Sequence, residues 1–453
     1  MYYLMFLVPL ALHPLKIDNR IKGILNSVAL GLMAIFRFGA GSDYFSYSYL
    51  YYLSSKSSIL KLFSTLKDQE IGFKLLMFPF RFLHLPYEAF VASIAILIMT
   101  LMYFWIQKNA KSVSLSYLVY YSFFFMVWNL SSLRQGLVIT IGCFLLFNQQ
   151  FQWKFRTKLL IIGSLCLLHI TAIFYLVFLL ADQLKWDRKK LTYVVLGALL
   201  VSLLPVGNIA LLIAKIPVFA RVASYIDPAT APFGFWDIKS LPRLFLIFIV
   251  LYHYDPLMKK GVLPAYVMNS YIIGISFFFI LRFDDLIGAR ISIYGFFLAV
   301  LILPAILDLY DKRKWITVAA TTGFIAMCAL YLQKELSAMA HQAGIEAKGY
   351  YVPYVTIFQE KRVGFTNDYY YANNYNNFLD APACVAEMTR FADKLEMRES
   401  TIKDNSKFIP VKFPNGKYGL IDTEGHIVLD GRFGPIEYYG GIIRVSSTEY
   451  YNV

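Results

Sequence analysis

Apolar runs, most of them roughly 18 to 24 residues long, recur from the start of the chain to about Leu332, separated by short polar segments. About 20 apolar residues in a helix span the hydrocarbon core of a bilayer, so the pattern is that of a polytopic helical membrane protein. The candidate spans are residues 2–12, 22–38, 88–106, 114–130, 133–147, 191–214, 243–254, 264–281, 287–307 and 315–332. The first and the seventh are short for a full crossing. Residues 70–86 are apolar on one side with Lys74 and Arg81 on the other, which predicts a helix lying in the membrane interface. The fold class is therefore an all-α polytopic membrane protein of about ten transmembrane helices. It fills residues 1–333, and residues 334–453 form a small α+β or β extramembrane domain.

Orientation follows from lysine and arginine in short loops. Lys16, Arg20 and Lys22 place the first loop in the cytoplasm, and Lys108 with Lys111, then Lys259 with Lys260, then Lys312 to Lys314 do the same later. Residues 159–181 break simple alternation. They are long enough to cross once, yet Lys154, Arg156 and Lys158 precede them and Lys185, Arg188, Lys189 and Lys190 follow. A re-entrant helical hairpin turning near His169 keeps both clusters on one side, provided its exposed backbone is buried in protein or lines a wet cavity. One ordinary span with a basic external loop is the alternative. With the hairpin, both termini, the 39–70 loop, the turn at Arg134, the 215–239 loop with Arg221 and the 282–290 turn all lie outside the cytoplasm.

Composition sharpens this. Of 453 residues 58% are apolar and 17% aromatic, so a large soluble core lacks the polar surface it needs. The net charge of +14 sits mainly in short loops, the place of orientation signals, which argues against nucleic-acid binding. Cys143, Cys166 and Cys328 lie inside apolar runs and Cys384 stands alone, leaving no disulfide framework or metal spacing. Residues 1–12 have no basic segment ahead and no cleavage site after, so they read as a retained helix. In the tail, residues 417–429 alternate apolar and polar positions around Thr423-Glu424-Gly425, a hairpin signal within 411–445. It is similar to one WG-type β repeat, with Tyr418 at the tryptophan position. The Asn- and Tyr-rich residues 367–377 read as an exposed polar linker.

Charged residues at helix mouths carry the candidate chemistry. Arg134 sits between two apolar runs, where inserting an arginine costs on the order of 3 kcal/mol. It is either a functional group or a side chain snorkelling to the headgroups. Arg37 and Asp43 flank Gly39 and Gly41, and tyrosines including Tyr44 and Tyr47 offer flat faces to sugar rings. Arg282 and Arg290 bracket Asp284 and Asp285, with Tyr294 one turn after Arg290. Guanidinium groups bind phosphate bidentately and stay charged, the chemistry that a lipid diphosphate requires. His169, alone in an apolar stretch, is either a hydrogen-bonded packing residue or, lifted by the hairpin, a proton-exchanging group.

Together these pieces resemble the EpsG/Wzy-type family of bacterial polysaccharide polymerases. The matching pieces are Arg37 with Gly41-Ser42-Asp43-Tyr44 and Tyr47, Glu70-Ile71-Gly72-Phe73, Leu133-Arg134-Gln135, His169 with Thr171-Ala172, Arg290 with Tyr294, and Pro353-Tyr354. They occur in order over residues 1–354. The family pattern commonly has a serine after its histidine region, where this chain has Ile170-Thr171. The resemblance implies a membrane glycosyltransferase that joins undecaprenyl-diphosphate-linked oligosaccharide repeat units at the outer face of the bacterial inner membrane. Its product is an exopolysaccharide, capsule or O-antigen, and it uses neither metal nor cofactor. It also implies a flippase and a chain-length regulator as partners. Arg134, Arg290, Arg37 and Arg282 are then the expected diphosphate ligands, and Tyr44, Tyr47 and Glu70 the glycan contacts. Asp43 is the first candidate to orient or deprotonate the acceptor hydroxyl and His169 the second. Two other classes fit the composition: a flippase guiding an anionic glycolipid, and a membrane O-acyltransferase that decorates glycans.

Overall fold

The computed structural model describes residues 1–54, 59–64, 69–184, 186–204, 206, 234, 237, 239–310, 314–337, 339–342, 345–352, 354–358, 408–412, 417–422, 427–433, 437–439, 442–444 and 450–452. Arg221, Cys384, the 367–377 stretch, Pro353 and the Thr423–Gly425 turn lie outside the described residues.

The described chain is a bundle of helices that run between two ends. One end gathers the basic loops. There Lys22 Nζ donates to His13 O (2.9 Å), Asn109 Nδ2 donates to Asn148 Oδ1 (3.3 Å), and Lys260 pairs with Asp308 (2.7 Å). At the opposite end Tyr2 OH donates to Tyr351 O (2.5 Å), Phe38 N donates to Val355 O (2.9 Å), and Arg282 Nε donates to Ser202 O (3.0 Å). Side chains such as Trp105, Tyr117, Tyr121, Tyr175 and Tyr271 are fully buried between the helices. Large apolar side chains such as Leu4, Ile96, Phe104, Phe248 and Leu330 remain exposed on the outside, as expected of a surface wetted by lipid tails.

Among the described residues four helices are long and apolar enough to cross a membrane: Tyr87–Asn109, Val113–Ser131, Leu241–Lys260 and Trp315–Leu336. A fifth candidate is the pair Leu286–Phe296 and Ala299–Tyr310, bent by 57° at its break, where one straight span over 287–307 was expected. Other expected spans are shorter. The helix Tyr2–Leu12 has 11 residues, Leu133–Leu146 has 14 and Ala265–Ile280 has 16. The span expected over 22–38 is a helix over Asn19–Ile35. It stops because residues 36–38 leave the helix and pair with 355–357, through an antiparallel bridge between Arg37 and Thr356. The run expected over 243–254 is longer, because Pro242 starts the helix at Leu241 and left-handed Gly261 ends it after Lys260. Of the run 191–214, residues through Val201 belong to the helix Arg188–Val201, and residues 207–214 lie outside the described residues.

Residues 155–181 form the hairpin. The helix Phe155–Leu168 stops at His169, whose backbone is extended (φ −158°, ψ 118°), and the 3-10 turn Ile170–Phe174 leads into the helix Tyr175–Ala181. Lys158, at the start of the first arm, pairs with Asp182, just past the second, at 3.6 Å. Fourteen residues of helix are about 21 Å long, so a chain that continued straight would separate this pair by far more. The described residues of the two basic clusters therefore share one end of the bundle.

The helix Ile71–Phe82 reverses an expectation. Lys74 and Arg81 are only 4% and 7% exposed, whereas Leu75 and Phe82 lie open. Both charged side chains turn into the bundle beside the buried Phe73 and Met77, with Arg81 over the Tyr51 ring at 5.1 Å. The described C-terminal strands make three small antiparallel sheets: Met339–Gln342 with Ile345–Gly349, then Phe408–Lys412, Tyr418–Asp422 and Ile427–Phe433, then Glu437–Tyr439, Ile442–Arg444 and Tyr450–Asn452. Strands 418–422 and 427–433 pair directly, with Tyr418 opposite Phe433.

Candidate active site

Two close backbone approaches build the site. Gly41 has φ +106°, and a Cβ there would fall 2.6 Å from Leu130 O. Only glycine accepts both the backbone angle and the contact, so residues 41–43 press onto the end of the 113–131 helix. Residues Tyr120–Ser131 of that helix are wound as a π-helix, which closes with Ser132 N donating to Val127 O (2.7 Å). After this wide turn the next helix starts at Leu133. Gly136, in its first turn, lies so near Trp128 O that a Cβ would stand 1.5 Å away. Asp43 is thereby set against the turn: its Oδ2 accepts from Ser132 Oγ (3.3 Å) and its Oδ1 from Ser42 Oγ (3.0 Å). Ser42 also bonds Ser131.

Arg134 projects from this turn onto Glu70, the residue just before the 71–82 helix. Its Nη1 donates to Glu70 Oε2 at 2.5 Å and also to Gln69 Oε1. The guanidinium lies over two mutually packed rings, 5.7 Å from Tyr47 and 5.3 Å from Phe73. The other oxygen, Glu70 Oε1, meets His169 Nδ1 at 3.1 Å and accepts from Ile170 N at 3.3 Å. The hairpin brings these last two groups, because His169 and Ile170 form its tip. Gly72 packs against Leu167 O there, and a Cβ would come within 2.6 Å of that carbonyl. One carboxylate thus bridges an arginine and a histidine that are distant in sequence.

Electrostatics decide the protonation states. Burial works to raise the Glu70 carboxyl, but the His169 hydrogen bond and the Arg134 charge outweigh it and hold the group at about 2. His169, in the break outside both arms of the hairpin, is pushed below the ordinary imidazole value by burial, against the pull of Glu70. At neutral pH Glu70 is ionised, Arg134 is charged and His169 is neutral. An ionised carboxylate only accepts hydrogen bonds, so the imidazole proton sits on Nδ1 and Nε2 keeps its lone pair.

Arg290 joins the group from the 285–296 helix. Its positive charge disfavours protonation of His169, and its carbonyl accepts from Gln135 Nε2. One turn on, Tyr294 OH hydrogen-bonds Thr171 Oγ1 at 2.7 Å, tying that helix to the hairpin. Among the described residues no cluster of three or more histidines, cysteines and carboxylates is arranged to hold a metal ion.

The structure brings together Asp43, Tyr47, Glu70, Arg134, His169 and Arg290, and it places each expected residue in definite surroundings. Arg134 does not snorkel; it is 18% exposed and paired with Glu70. Glu70, expected as a glycan contact, has both oxygens engaged by protein groups. Arg37, expected at the diphosphate, is 2% exposed, with Nη1 donating to Ala34 O (2.8 Å) beneath the 350–357 segment. Tyr44, expected to stack on sugar, is 1% exposed, its ring packed against Phe38, Tyr87 and the Arg37 guanidinium. Tyr47 is likewise buried, edge-on to Phe73. Arg282 bonds Ser202 O, at the end of the 188–201 helix. Gln69 and Ser132 carry no periodicity or motif signal and emerge only from the fold. Gln135, Thr171 and Tyr294 belong to recognisable short motifs, but nothing in those motifs specifies whom they contact.

Apolar helices around a charged group at one end of the bundle define a multi-pass membrane protein with a polar site at the mouths of its helices. The EpsG family model matches residues 24–356, and the chain belongs to the EpsG family. Membership makes it a membrane protein of polysaccharide biosynthesis, of the polymerase type, acting on lipid-linked oligosaccharide. Comparison with curated proteins and with solved structures finds no match.

Proposed function

We propose that the protein is a glycosyltransferase that joins undecaprenyl-diphosphate-linked repeat units into an exopolysaccharide, capsule or O-antigen. It acts at the outer face of the bacterial inner membrane, with both termini on that side, and receives its substrate from a flippase. The observation that carries this reading is Glu70 bridging Arg134 and His169. The terminal hydroxyl of an acceptor repeat unit attacks the anomeric carbon of the donor glycan. As that C–O bond forms, the bond from the anomeric carbon to the diphosphate oxygen breaks, and the electron pair leaves with the lipid diphosphate. His169 Nε2 takes the hydroxyl proton while Glu70 holds the imidazole in the tautomer that permits it. Asp43, fixed by two serines, orients the acceptor hydroxyl. Arg134 and Arg290 face the leaving diphosphate, and their fixed charge stabilises the charge that develops there.

The flippase reading expects ionisable residues through the depth of the membrane, whereas here they gather at the ends of helices. Purified protein supplied with lipid-linked repeat units separates the classes. Longer lipid-linked chains are expected; bare translocation, or acylated sugar without elongation, would replace the proposal with the flippase or the O-acyltransferase. Arg134→Lys should lower the elongation rate by about 10²-fold at unchanged membrane level, because an ammonium cannot hold Glu70 and a diphosphate in one planar fork. Normal polymer from that variant removes the role given to Arg134.

A further inference from the structure

Three polar side chains stand beside functional groups of the site in sequence, and they meet one another behind it. Gln135 follows Arg134, Thr171 comes shortly after His169, and Tyr294 lies one turn past Arg290. Gln135 Nε2 donates to the Arg290 carbonyl, and its amide also reaches the Tyr294 hydroxyl. That hydroxyl bonds Thr171 Oγ1 at 2.7 Å. Tyr294 is fully buried and Gln135 nearly so, which shields these bonds from competing water. The phenol ring is itself held. It stands edge-on to the Tyr175 ring with centroids 4.9 Å apart, and Tyr175 seats against Gly142, where a Cβ would come within 2.3 Å of its hydroxyl. The next residue, Gly295, presses onto the 265–280 helix so closely that a Cβ would stand 2.3 Å from Ser270 O. The 285–296 helix is thus seated through Gly295 and tied through Tyr294, just before its 57° bend.

We infer that Gln135, Thr171 and Tyr294 form one positioning unit, which fixes Arg134, His169 and Arg290 relative to one another for the transfer step. Its bearing on the reaction rests on the polymerase reading; its bearing on the geometry does not. The three functional groups come from three separate elements: the 133–146 helix, the hairpin tip and the 285–296 helix. Apolar contact between such elements is non-directional, whereas hydrogen bonds fix distance and angle. A misplacement of about 1 Å at a reacting group costs about 10²-fold in rate. The pair that depends most on the unit is His169 with Arg290. Among the described residues, the charged groups that face His169 are Glu70, Arg134 and Arg290; Glu70 favours its protonation and both arginines oppose it. Protonated His169 and Arg290 repel, and the Thr171–Tyr294 bond keeps them from drawing apart. The bond therefore helps to keep the imidazole neutral, the form that takes the acceptor's proton.

Thr171→Val and Tyr294→Phe each delete one hydroxyl and keep the shape, while Thr171→Ser keeps the hydroxyl and loses a methyl group. The purified full chain, carrying isotope-labelled histidine, is titrated by NMR, with the His169 signal assigned by its absence in His169→Gln. In Tyr294→Phe and Thr171→Val its midpoint should move to higher pH, and in Thr171→Ser it should stay at the wild-type value. Packing alone predicts the reverse, a harmless Thr171→Val and a harmful Thr171→Ser. The same variants are assayed with a lipid-linked repeat unit. Tyr294→Phe and Thr171→Val should each lower kcat by about tenfold with KM changed less than roughly twofold, and the double variant should be no slower than either single. An unmoved His169 midpoint in both hydroxyl deletions, or a change confined to Thr171→Ser, overturns the inference whatever the elongation rates. Losses that multiply to about 100-fold in the double variant show that the two hydroxyls act apart, and overturn it too. An unchanged kcat in both deletions removes the unit from the reaction. A wild type that does not elongate, with the midpoints moved as stated, overturns the polymerase reading and leaves the geometry of the unit standing.

Discussion

Glu70 shows how one side chain sets the states of its neighbours. Its carboxyl is held near 2, so its ionised form stabilises the folded protein throughout the range above ordinary carboxylate values. That contribution is lost as pH falls through about 2. The melting temperature of wild type should therefore decline steeply over the acid range, and Glu70→Gln should start lower and decline less. Parallel curves would show that the pairing does not stabilise the fold. The histidine gives a second, independent reading. Burial lowers its affinity for protons, so the acid limb of elongation should lie below the ordinary imidazole range. Glu70 works against that shift, so Glu70→Gln should move the limb to still lower pH and reduce the maximal rate by roughly 10²-fold. An unmoved limb would mean that His169 is not the group titrating in the rate. Arg134 and His169 were each legible in the sequence as charged or titratable groups in apolar surroundings. Glu70 was named there too, as a glycan contact, but its role as their common partner was not legible, because residues 70, 134 and 169 meet only once the hairpin and the 71–82 helix are packed.

Among the elements, the 155–181 hairpin was inferable from charge, since basic clusters on both flanks are hard to reconcile with a single crossing. Its geometry makes a direct check possible. With Lys158 and Asp182 replaced by cysteines, a short bismaleimide should link them within one chain, and failure to link would restore a single span. The π-wound segment before Ser132 had no such signature: its sequence is apolar and aromatic like an ordinary span, and the wide turn depends on what packs beside it. Gly136→Ala places a methyl group against Trp128 O and should cost about 1–3 kcal/mol. The folded fraction recovered in detergent should fall, while Gly163→Ala, where a Cβ meets nothing within 4 Å, should leave it unchanged. Equal recovery of the two variants would mean that the 128–136 turn relaxes freely. The 71–82 helix shows why amphipathic pattern misleads inside a membrane. The pattern marks Lys74 and Arg81 as one side, but both are buried together with Phe73 and Met77, and Leu75 and Phe82 are the side chains left open.

For the molecule as a whole, residues 350–352 and 354–357 clasp the mouth of the bundle. Gly41 N donates to Tyr350 O (3.0 Å), Ile357 N donates to Phe36 O (2.9 Å), and Tyr354 OH donates to Met33 O (2.7 Å). A chain cut after Phe358 should keep the melting temperature of the full protein, whereas one cut after Ser337 should lose several degrees and its elongation activity. If both cuts behave alike, the clasp contributes nothing. Local pattern was enough to establish the helical membrane class, the basic end of the bundle and the break at His169. Hydrophobic runs and loop charges act through the bilayer, which reads each segment nearly alone. The inward turn of Lys74 and Arg81, the burial of Arg37 and Tyr44, the 57° bend and the meeting of Glu70 with Arg134 and His169 came from tertiary packing. They depend on which helices become neighbours, a matter of contacts between residues far apart in the chain.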